Sequence, residues 1–181
     1  MTHPARSALV LQGGGALGAF EFGAARALYE KEIVPDVIAG VSIGAVTAAL
    51  LARPAPGMTP LEALAAFWKK VTAPGELFPP TLRPYASFLG NRHFFRPRLD
   101  YLNWPHWTYF YETEPLRRTL KELIDVTKLQ QRNADPMLLV SATNVKKGQI
   151  EYFDTKRGPL PRAHHGERQF ASSVSDDANR R

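Results

Sequence analysis

The 181-residue chain contains no cysteine, which excludes disulfide bridges and thiolate metal sites. Long hydrophobic runs are also missing. The longest one, around residues 43–52, falls well short of the roughly 20 residues needed to cross a bilayer. The first apolar run ends at Gly13, so it is too short for the core of a signal peptide. We therefore expect a cytoplasmic protein that touches a membrane only peripherally, and neither composition nor motifs imply a cofactor or a metal.

Positive charge is abundant but is not gathered into a stripe. The formal charge is +6 and the pI about 9.7, yet the basic residues are scattered among short segments such as "WKK", "LRRTLKEL" and "NVKKGQ". No nucleic-acid-reading motif accompanies them. We expect no nucleic-acid partner, and the oligomeric state is not readable from the sequence.

Two strand-to-helix units open the chain. "SALVLQ" is a short apolar run ended by three glycines, and the helical spacing of "GAFEFGAARALYEKE" follows it. "PDVIAGV" and "SIGAVTAALLA" repeat this plan. Successive strand–helix units favour a parallel sheet with helices on its faces, so the sequence predicts an α/β fold.

The second half of the chain predicts two further helices and a pair of strands. "LEALAAFWKKV" and "PLRRTLKELID" have helical spacing, whereas "MLLVSATNV" and "QIEYFD" read as strands joined by a tight turn. The predicted inward positions are Leu61, Leu64, Ala65 and Trp68 in the first helix and Leu116, Leu120, Leu123 and Ile124 in the second.

A segment rich in proline and aromatic residues, 74–115, separates the two predicted helices. Its rings could form a lid that meets lipid, or they could pack onto the sheet, and packing is the favoured interpretation. Basic neighbours fit either an anionic lipid surface or simple solvation. The rings are Phe94, Phe95, Trp104, Trp107, Tyr109 and Phe110, and the basic residues are Arg92, Arg96 and Arg98.

"GVSIG" places Ser42 between Gly40 and Gly44, where the second predicted strand passes into a helix. A nucleophile elbow needs this setting, because the small flanking residues permit the sharp turn and the helix directs its N-terminal amides toward the serine. Ser42 could instead be an ordinary cap of that helix. Taken alone, the motif leaves both interpretations open.

The triple glycine Gly13, Gly14 and Gly15 has two possible functions. With Gly18 it fits the dinucleotide pattern GxGxxG, but the acidic residue expected at the end of the second strand is absent, since Asp36 precedes that strand. The alternative is that the bare backbone offers N–H donors to a developing oxyanion. Its pairing with Ser42 on the next strand favours the oxyanion hole.

"LVLQGGGALGAFEFGAARAL" followed by "PDVIAGVSIGAVTAALLA" resembles the bacterial branch of the patatin-like phospholipases, as do "FWKKV", "FFRPR" and "LLVSATNVKKGQIEYFD". The resemblance implies a three-layer α/β/α fold with a mainly parallel sheet, incomplete at its C-terminal side, over a domain at residues 7–157. It implies hydrolysis of lipid acyl esters, with Ser42 as the nucleophile and Gly13–Gly15 as the oxyanion hole. Leu17 stands where many relatives carry a basic residue.

The family pairs its serine with an aspartate that opens an Asp-Gly motif, and no aspartate here is followed by glycine. We therefore expect no dyad aspartate in this chain, weak or absent activity, and, as an alternative function, a non-catalytic lipid-binding domain. Asp154, at the end of a strand-like run, is a poor candidate for the base. The five histidines are predicted to be surface or loop residues. The aspartates are Asp36, Asp100, Asp125, Asp135, Asp154, Asp176 and Asp177, and the histidines His3, His93, His106, His164 and His165.

Residues 158–181 depart from the family pattern and are predicted to be disordered. Permitted codons for residues 161–181, read one nucleotide later, can encode "PEHIMASGSLPAAFPMTRIDG", which resembles the family's continuation. We therefore expect a frameshift near residues 156–160 that truncated a longer hydrolase.

Overall fold

A computed structural model describes residues 6–72, 79, 81, 91, 93–97, 111–129, 131, 133–144 and 148–155. Predictions for the tail at 158–181 and for most of the aromatic segment fall outside these residues. The described part is a mixed α/β fold with a mostly parallel sheet, which confirms the predicted fold class.

The first half of the chain alternates strands and helices as the sequence predicts. Strand β1 spans Ala8–Leu11, helix α1 Gly18–Glu30, strand β2 Val37–Val41 and helix α2 Ile43–Ala52. A short 3-10 turn, Gly15–Leu17, joins the glycines to α1.

The second half supplies the remaining helices and strands. Helix α3 spans Pro60–Thr72, α4 Glu114–Leu123 and α5 Val126–Leu129, and strands β3 and β4 are the short pair Arg96–Pro97 and Tyr111–Glu112. Strand β5 spans Met137–Asn144 and β6 spans Gln149–Asp154.

The main sheet has the strand order β1-β2-β5-β6. Strands β1, β2 and β5 are parallel, and β6 runs antiparallel to β5. Because the parallel strands share one direction, the turns after β1 and after β2 lie at the same edge of the sheet. We call this the carboxyl edge, and the opposite one the amino edge.

Helix α2 forms the centre of the core. All ten of its residues are buried, which explains why the sequence is apolar all round rather than on one stripe. The helix lies on the sheet face that carries Ile38 and Val140, contacting β1, β2 and β5, and the helices α1 and α3 pack against it in turn. The opposite face leaves Val10 71% and Tyr152 68% exposed.

The predicted inward face of α3 is partly wrong. Leu64 and Trp68 are buried as expected, but Ala65 is exposed, and the buried stripe is completed by Ala63 and Phe67 instead. The contact surface is offset because α3 packs against α1, α2 and α4. In α4 the expected face is confirmed, with Leu120, Leu123 and Ile124 buried and Leu116 packed beside them.

One described ring of the aromatic segment packs against the core. Phe94 meets Phe67 of α3 edge-on at 6.4 Å between ring centroids, and Phe95 meets Phe94 at 5.8 Å. Phe94 thus packs inward as the favoured interpretation expects, although it contacts a helix rather than the sheet. The other four rings lie outside the described residues.

Arg53 is a fully buried cation at the C-terminal end of α2, only 1% exposed. Its guanidinium donates to the carbonyl oxygens of Ala52 at 2.6 Å and Ala134 at 2.7 Å, with longer bonds to Lys128 at 3.3 Å and Asp135 at 3.4 Å. Burial lowers the pKa of Arg53, and the carboxylates of Asp135 and Asp125 oppose this effect. The side chain thus joins the end of α2 to the chain that enters β5.

Candidate active site

Ser42 occupies the single residue between β2 and α2. Its backbone has φ 54° and ψ −124°, a left-handed conformation that costs a residue with a side chain about 1–3 kcal/mol. Its hydroxyl makes no capping hydrogen bond to α2, and the residue is exposed. The geometry is that of a strained strand-to-helix turn whose serine hydroxyl does not cap the helix, which disfavours the capping interpretation.

Gly40 and Gly44 permit close backbone contacts on either side of Ser42. A Cβ at Gly40 would lie 2.2 Å from the carbonyl oxygen of Gly44. One at Gly44 would lie 2.4 Å from the carbonyl oxygen of Gln12 and 2.6 Å from that of Leu11. These distances leave no room for a side chain, so both glycines are required for α2 to start directly against the end of β1.

The three glycines after β1 lie beside Ser42. A Cβ placed on Gly13 would be 3.2 Å from the Ser42 Cβ and 3.8 Å from its Oγ. Gly14 and Gly15 have φ of 145° and 58°, which side-chain-bearing residues rarely adopt. The exposed glycine loop and the serine are therefore neighbours at the carboxyl edge, as the two strand-to-helix units predict.

Two helix N-termini converge at the same place. Gly18, the first residue of α1, is so close to Ile43, the first residue of α2, that a Cβ on Gly18 would lie 3.0 Å from the Ile43 side chain. Helix N-termini carry partial positive charge and unsatisfied N–H groups. Their convergence makes the surroundings of Ser42 favourable for negative charge.

Glu21, in the first turn of α1, is a residue of this edge that the sequence analysis missed. Its Oε1 accepts a 2.6 Å hydrogen bond from the backbone N–H of Gln12, and burial raises its pKa although that bond opposes the shift. The signal in the sequence is an acidic residue one helical turn after a glycine loop, because such a side chain can accept a hydrogen bond from the backbone that precedes the loop.

The four described aspartates all lie away from Ser42. Asp36 precedes β2 at the amino edge, where the backbone N–H of Ser7 at 2.7 Å and its hydroxyl lower the Asp36 pKa. Asp125 and Asp135 lie at the same end of the fold, next to Arg53. None of the three is placed to accept a proton from Ser42.

Asp154 is remote as well, because β6 runs opposite to β2. It pairs with Leu139, which pairs with Ala39, three residues before Ser42. At about 3.3 Å per residue and about 4.8 Å between strands, Asp154 lies about 10 Å back along the sheet and two strands across. Its position does not suit the base. Asp100, Asp176 and Asp177 are outside the described residues.

The remaining groups that the sequence analysis considered are the histidines, a metal site and a membrane span. Among the histidines, only His93 is described, and its carbonyl oxygen accepts the Thr119 hydroxyl at 2.8 Å. Within the described ranges no three His, Asp or Glu side chains group to hold a metal ion. None of the described helices has the length and apolar character of a membrane span.

An α/β sheet with an exposed, strained serine between a strand and a helix is the arrangement typical of serine hydrolases. A family model identifies the group: it matches residues 9–178, and the chain belongs to the patatin-like phospholipase family. The matched span includes residues 158–178, which the sequence analysis expects to depart from the family pattern, so that expectation and the domain boundary at residue 157 stay predictions.

Similar proteins with curated names come from fungi and a plant. The chain is 49% identical over 47 residues to a patatin-like phospholipase domain-containing protein of Pyricularia oryzae, 26% of this chain and 6% of that protein. It is 46% identical over 46 residues to triacylglycerol lipase SDP1L of Arabidopsis thaliana, 25% of this chain and 6% of that one. Triacylglycerol lipase 4 of Saccharomyces cerevisiae is 48% identical over 46 residues, 25% and 5% of the two chains.

The aligned stretches thus span about one twentieth of the length of these relatives. No solved structure matches the chain. Membership in the family and a general relation to lipid acyl hydrolases are therefore established, whereas the activity of this chain is not.

Proposed function

We propose that this domain is built for lipid acyl-ester hydrolysis, with Ser42 as the nucleophile and the backbone N–H groups of Gly13–Gly15 as oxyanion donors. The observation that carries the proposal is the strained, exposed and uncapped Ser42, whose side chain lies beside Gly13. Strained backbone conformations of this kind cluster at active sites. Here the strain holds the Ser42 hydroxyl exposed at the edge of the sheet.

In the proposed reaction the Ser42 Oγ attacks the ester carbonyl carbon, and the carbonyl oxygen becomes an oxyanion. Backbone donors at the glycine loop and the two converging helix N-termini stabilise this charge, and removing one such donor typically costs about 3–4 kcal/mol. Collapse expels the alcohol and leaves an acyl-serine, which water then hydrolyses. A base must take the Ser42 proton and return it to the departing alcohol.

We further propose that the chain as given turns over slowly or not at all, because the four described aspartates lie away from Ser42. The same observation favours the second candidate function, a lipid-binding domain without catalysis. The two functions share the acyl ester as ligand and differ only in whether Ser42 becomes acylated. Contact with a membrane surface is proposed for both, since the substrate class is lipid.

We propose that the tail after residue 157 is read out of frame, which would account for the lack of a suitably placed base among the described residues. Sequencing the coding DNA tests it. We expect an inserted or deleted nucleotide near residues 156–160 and an Asp-Gly motif in the neighbouring frame; an intact frame without that motif would rule the proposal out.

Ser42→Ala is the decisive variant for the mechanism. A fluorophosphonate should label the frame-restored protein once, at Ser42, and p-nitrophenyl ester hydrolysis should rise by orders of magnitude over that of the chain as given, because restoring the frame regains an ionisable base. Both signals should disappear in Ser42→Ala, as read by intact mass and initial rates.

Ser141→Ala is the matched control, since Ser141 pairs with Val41 on the neighbouring strand. It should leave labelling and rate unchanged. Labelling or hydrolysis that survives Ser42→Ala would contradict the mechanism. If the chain as given and the frame-restored protein both bind lipid specifically and neither is labelled, the second candidate function, lipid binding without catalysis, would be established instead.

A further inference from the structure

Glu21 connects the two ends of the glycine loop. Gln12 precedes the loop and Glu21 follows it in the first turn of α1, and the Gln12 N–H donates to Glu21 Oε1 at 2.6 Å. Gln12 also lies against helix α2, which follows Ser42: a Cβ added to Gly44 would be 2.4 Å from the carbonyl oxygen of Gln12. One carboxylate thus holds the point where β1, the loop and α2 meet.

The loop itself has little with which to hold its shape. Its three glycines have no side chains, and two of them adopt positive φ. Its described backbone hydrogen bonds lie at its C-terminal end, from Leu17 N–H to the Gly14 carbonyl oxygen at 3.2 Å and from Gly18 N–H to the Gly15 carbonyl oxygen. Gly15 has nothing within 4 Å of its Cβ position. The conformation of the loop therefore depends on how its ends are fixed.

An ordinary acidic residue in a first helical turn is solvated and favoured by the helix dipole. Glu21 differs, because its second oxygen, Oε2, is buried and has no hydrogen-bond partner among the described residues. Burial raises its pKa in spite of the bond to Gln12. Burying a carboxylate oxygen without a partner costs free energy. An exposed acidic residue would stabilise the start of the helix equally well without this cost.

We propose that Glu21 is a positioning residue, whose hydrogen bond to the Gln12 amide fixes the glycine loop in the conformation that faces Ser42. The proposal rests on the proposed function in treating Gly13–Gly15 as oxyanion donors. Glu21 touches no reacting atom in this scheme; it acts through the backbone of residues 12–15.

Amide exchange and 15N relaxation of the full chain test the tether without any need for activity. In Glu21→Ala the Gln12 amide should exchange about tenfold faster or more, the factor expected when a hydrogen bond to a charged acceptor is lost. Order parameters of Gly13–Gly15 should fall from about 0.85 toward 0.6. Exchange of the buried strand amides of Ile38 and Val140 should not change, which separates local loosening from unfolding.

Two further variants sharpen the test. Glu21→Gln keeps an acceptor oxygen at the same place and should restore most of the protection. Glu30→Ala is the matched control, since Glu30 lies on the same helix but pairs only at the surface with Arg26, and it should change nothing in the loop. Unchanged exchange and order in Glu21→Ala, or equal loosening in Glu21→Gln, would overturn the proposal.

The rate of fluorophosphonate labelling connects the tether to Ser42. In the frame-restored protein, Glu21→Ala should slow labelling about tenfold, while Glu21→Gln and Glu30→Ala should label as fast as the unsubstituted protein. An undiminished rate in Glu21→Ala would overturn the positioning role. If the frame-restored protein does not label at all, the proposed function fails, and the exchange and relaxation data still decide whether Glu21 holds the loop.

Discussion

The two edges of the sheet differ in how far their polar side chains are hydrogen-bonded. At the amino edge Asp36 is bonded to Ser7, and the Arg53 guanidinium is shared among four carbonyl oxygens. At the carboxyl edge the Ser42 hydroxyl caps nothing, and one oxygen of Glu21 is buried without a described partner. The described polar groups of the amino edge are thus hydrogen-bonded, whereas the carboxyl edge, where the active site is proposed, leaves two polar groups without a described partner.

Residues with positive φ occur at both edges, since Glu32 and Asn133, in the segments that lead into β2 and β5, have φ of 57° each. What distinguishes the carboxyl edge is the close backbone packing around its residues. Near the carboxyl edge Ser42, Gly14 and Gly15 all have positive φ, and α2 starts in direct backbone contact with β1. Strained conformations cluster at functional sites because the surrounding packing imposes them. The comparison therefore predicts that changes at the carboxyl edge disturb the site, and that changes at the amino edge lower stability without touching it.

The largest expected effect comes from Gly44→Ala. Its Cβ would lie 2.4–2.7 Å from backbone atoms of Gln12 and Leu11, which cannot move aside as a side chain can. We expect the free energy of unfolding to fall by about 3 kcal/mol or more, measured by urea denaturation.

Gly23→Ala is the control for this prediction. Nothing lies within 4 Å of a Cβ on Gly23 in the exposed face of α1, so this change should stabilise the protein by about 0.5–1 kcal/mol. A Gly44→Ala protein as stable as wild type would show that the contact between β1 and α2 is not tight.

Arg53→Met tests the amino edge. It removes the buried cation and leaves several carbonyl oxygens without a donor, so the free energy of unfolding should fall by about 3 kcal/mol. Fluorophosphonate labelling of Ser42, measured well below the midpoint of unfolding, should be unaffected.

Arg26→Met is the matched arginine change, because the Arg26–Glu30 pair is exposed on α1. Its stability should equal that of wild type within error. A loss of labelling in folded Arg53→Met protein would break the division between a structural edge and a functional edge.

The smallest expected effect is a pair of opposite pH dependences. Hydrogen bonds from Ser7 lower the pKa of Asp36, so its contribution is present above its ordinary pKa and is lost as pH falls through the lower folded value. Burial raises the pKa of Glu21, so the folded state loses stability as pH rises through the ordinary value to the raised one. Unfolding free energies measured from acid to neutral pH should reveal both trends.

Asp36→Asn should therefore remove part of the stability loss that occurs as pH falls into the acid range. Glu21→Gln should remove part of the stability loss that occurs as pH rises from the ordinary pKa of glutamate to the raised pKa of Glu21. Asn and Gln do not titrate, and each is close in shape to the residue it replaces. Identical pH profiles for the two variants would mean that the edges do not differ electrostatically.

Much of the fold follows from local patterns. The strands and helices of the two opening units, the face of α4 and the adjacency of the glycine loop and Ser42 were all predictable, because parallel neighbouring strands end at one edge. The face of α3 was predicted wrongly at Ala65, since packing against three helices at once, rather than hydropathy, selected Ala63 and Phe67.

The candidate site was predictable only in part. Ser42 and the glycines carry recognisable spacing, but Glu21 does not, because its function depends on a bond back across the loop to Gln12. That Asp154 is a poor candidate for the catalytic base could be predicted from its sequence neighbours, which form no Asp-Gly motif. The strand register is what places it at the wrong end, through the antiparallel direction of β6.

By itself, the sequence determined the order of strands and helices, the glycines at the sharp turns and the absence of an Asp-Gly motif, since each depends on local conformational preference or composition. Only the tertiary structure decided which groups meet: Ser42 with Gly13, Glu21 with Gln12, and Arg53 with its carbonyl oxygens. Contacts between residues distant in the chain depend on strand direction and packing, and no local pattern specifies them.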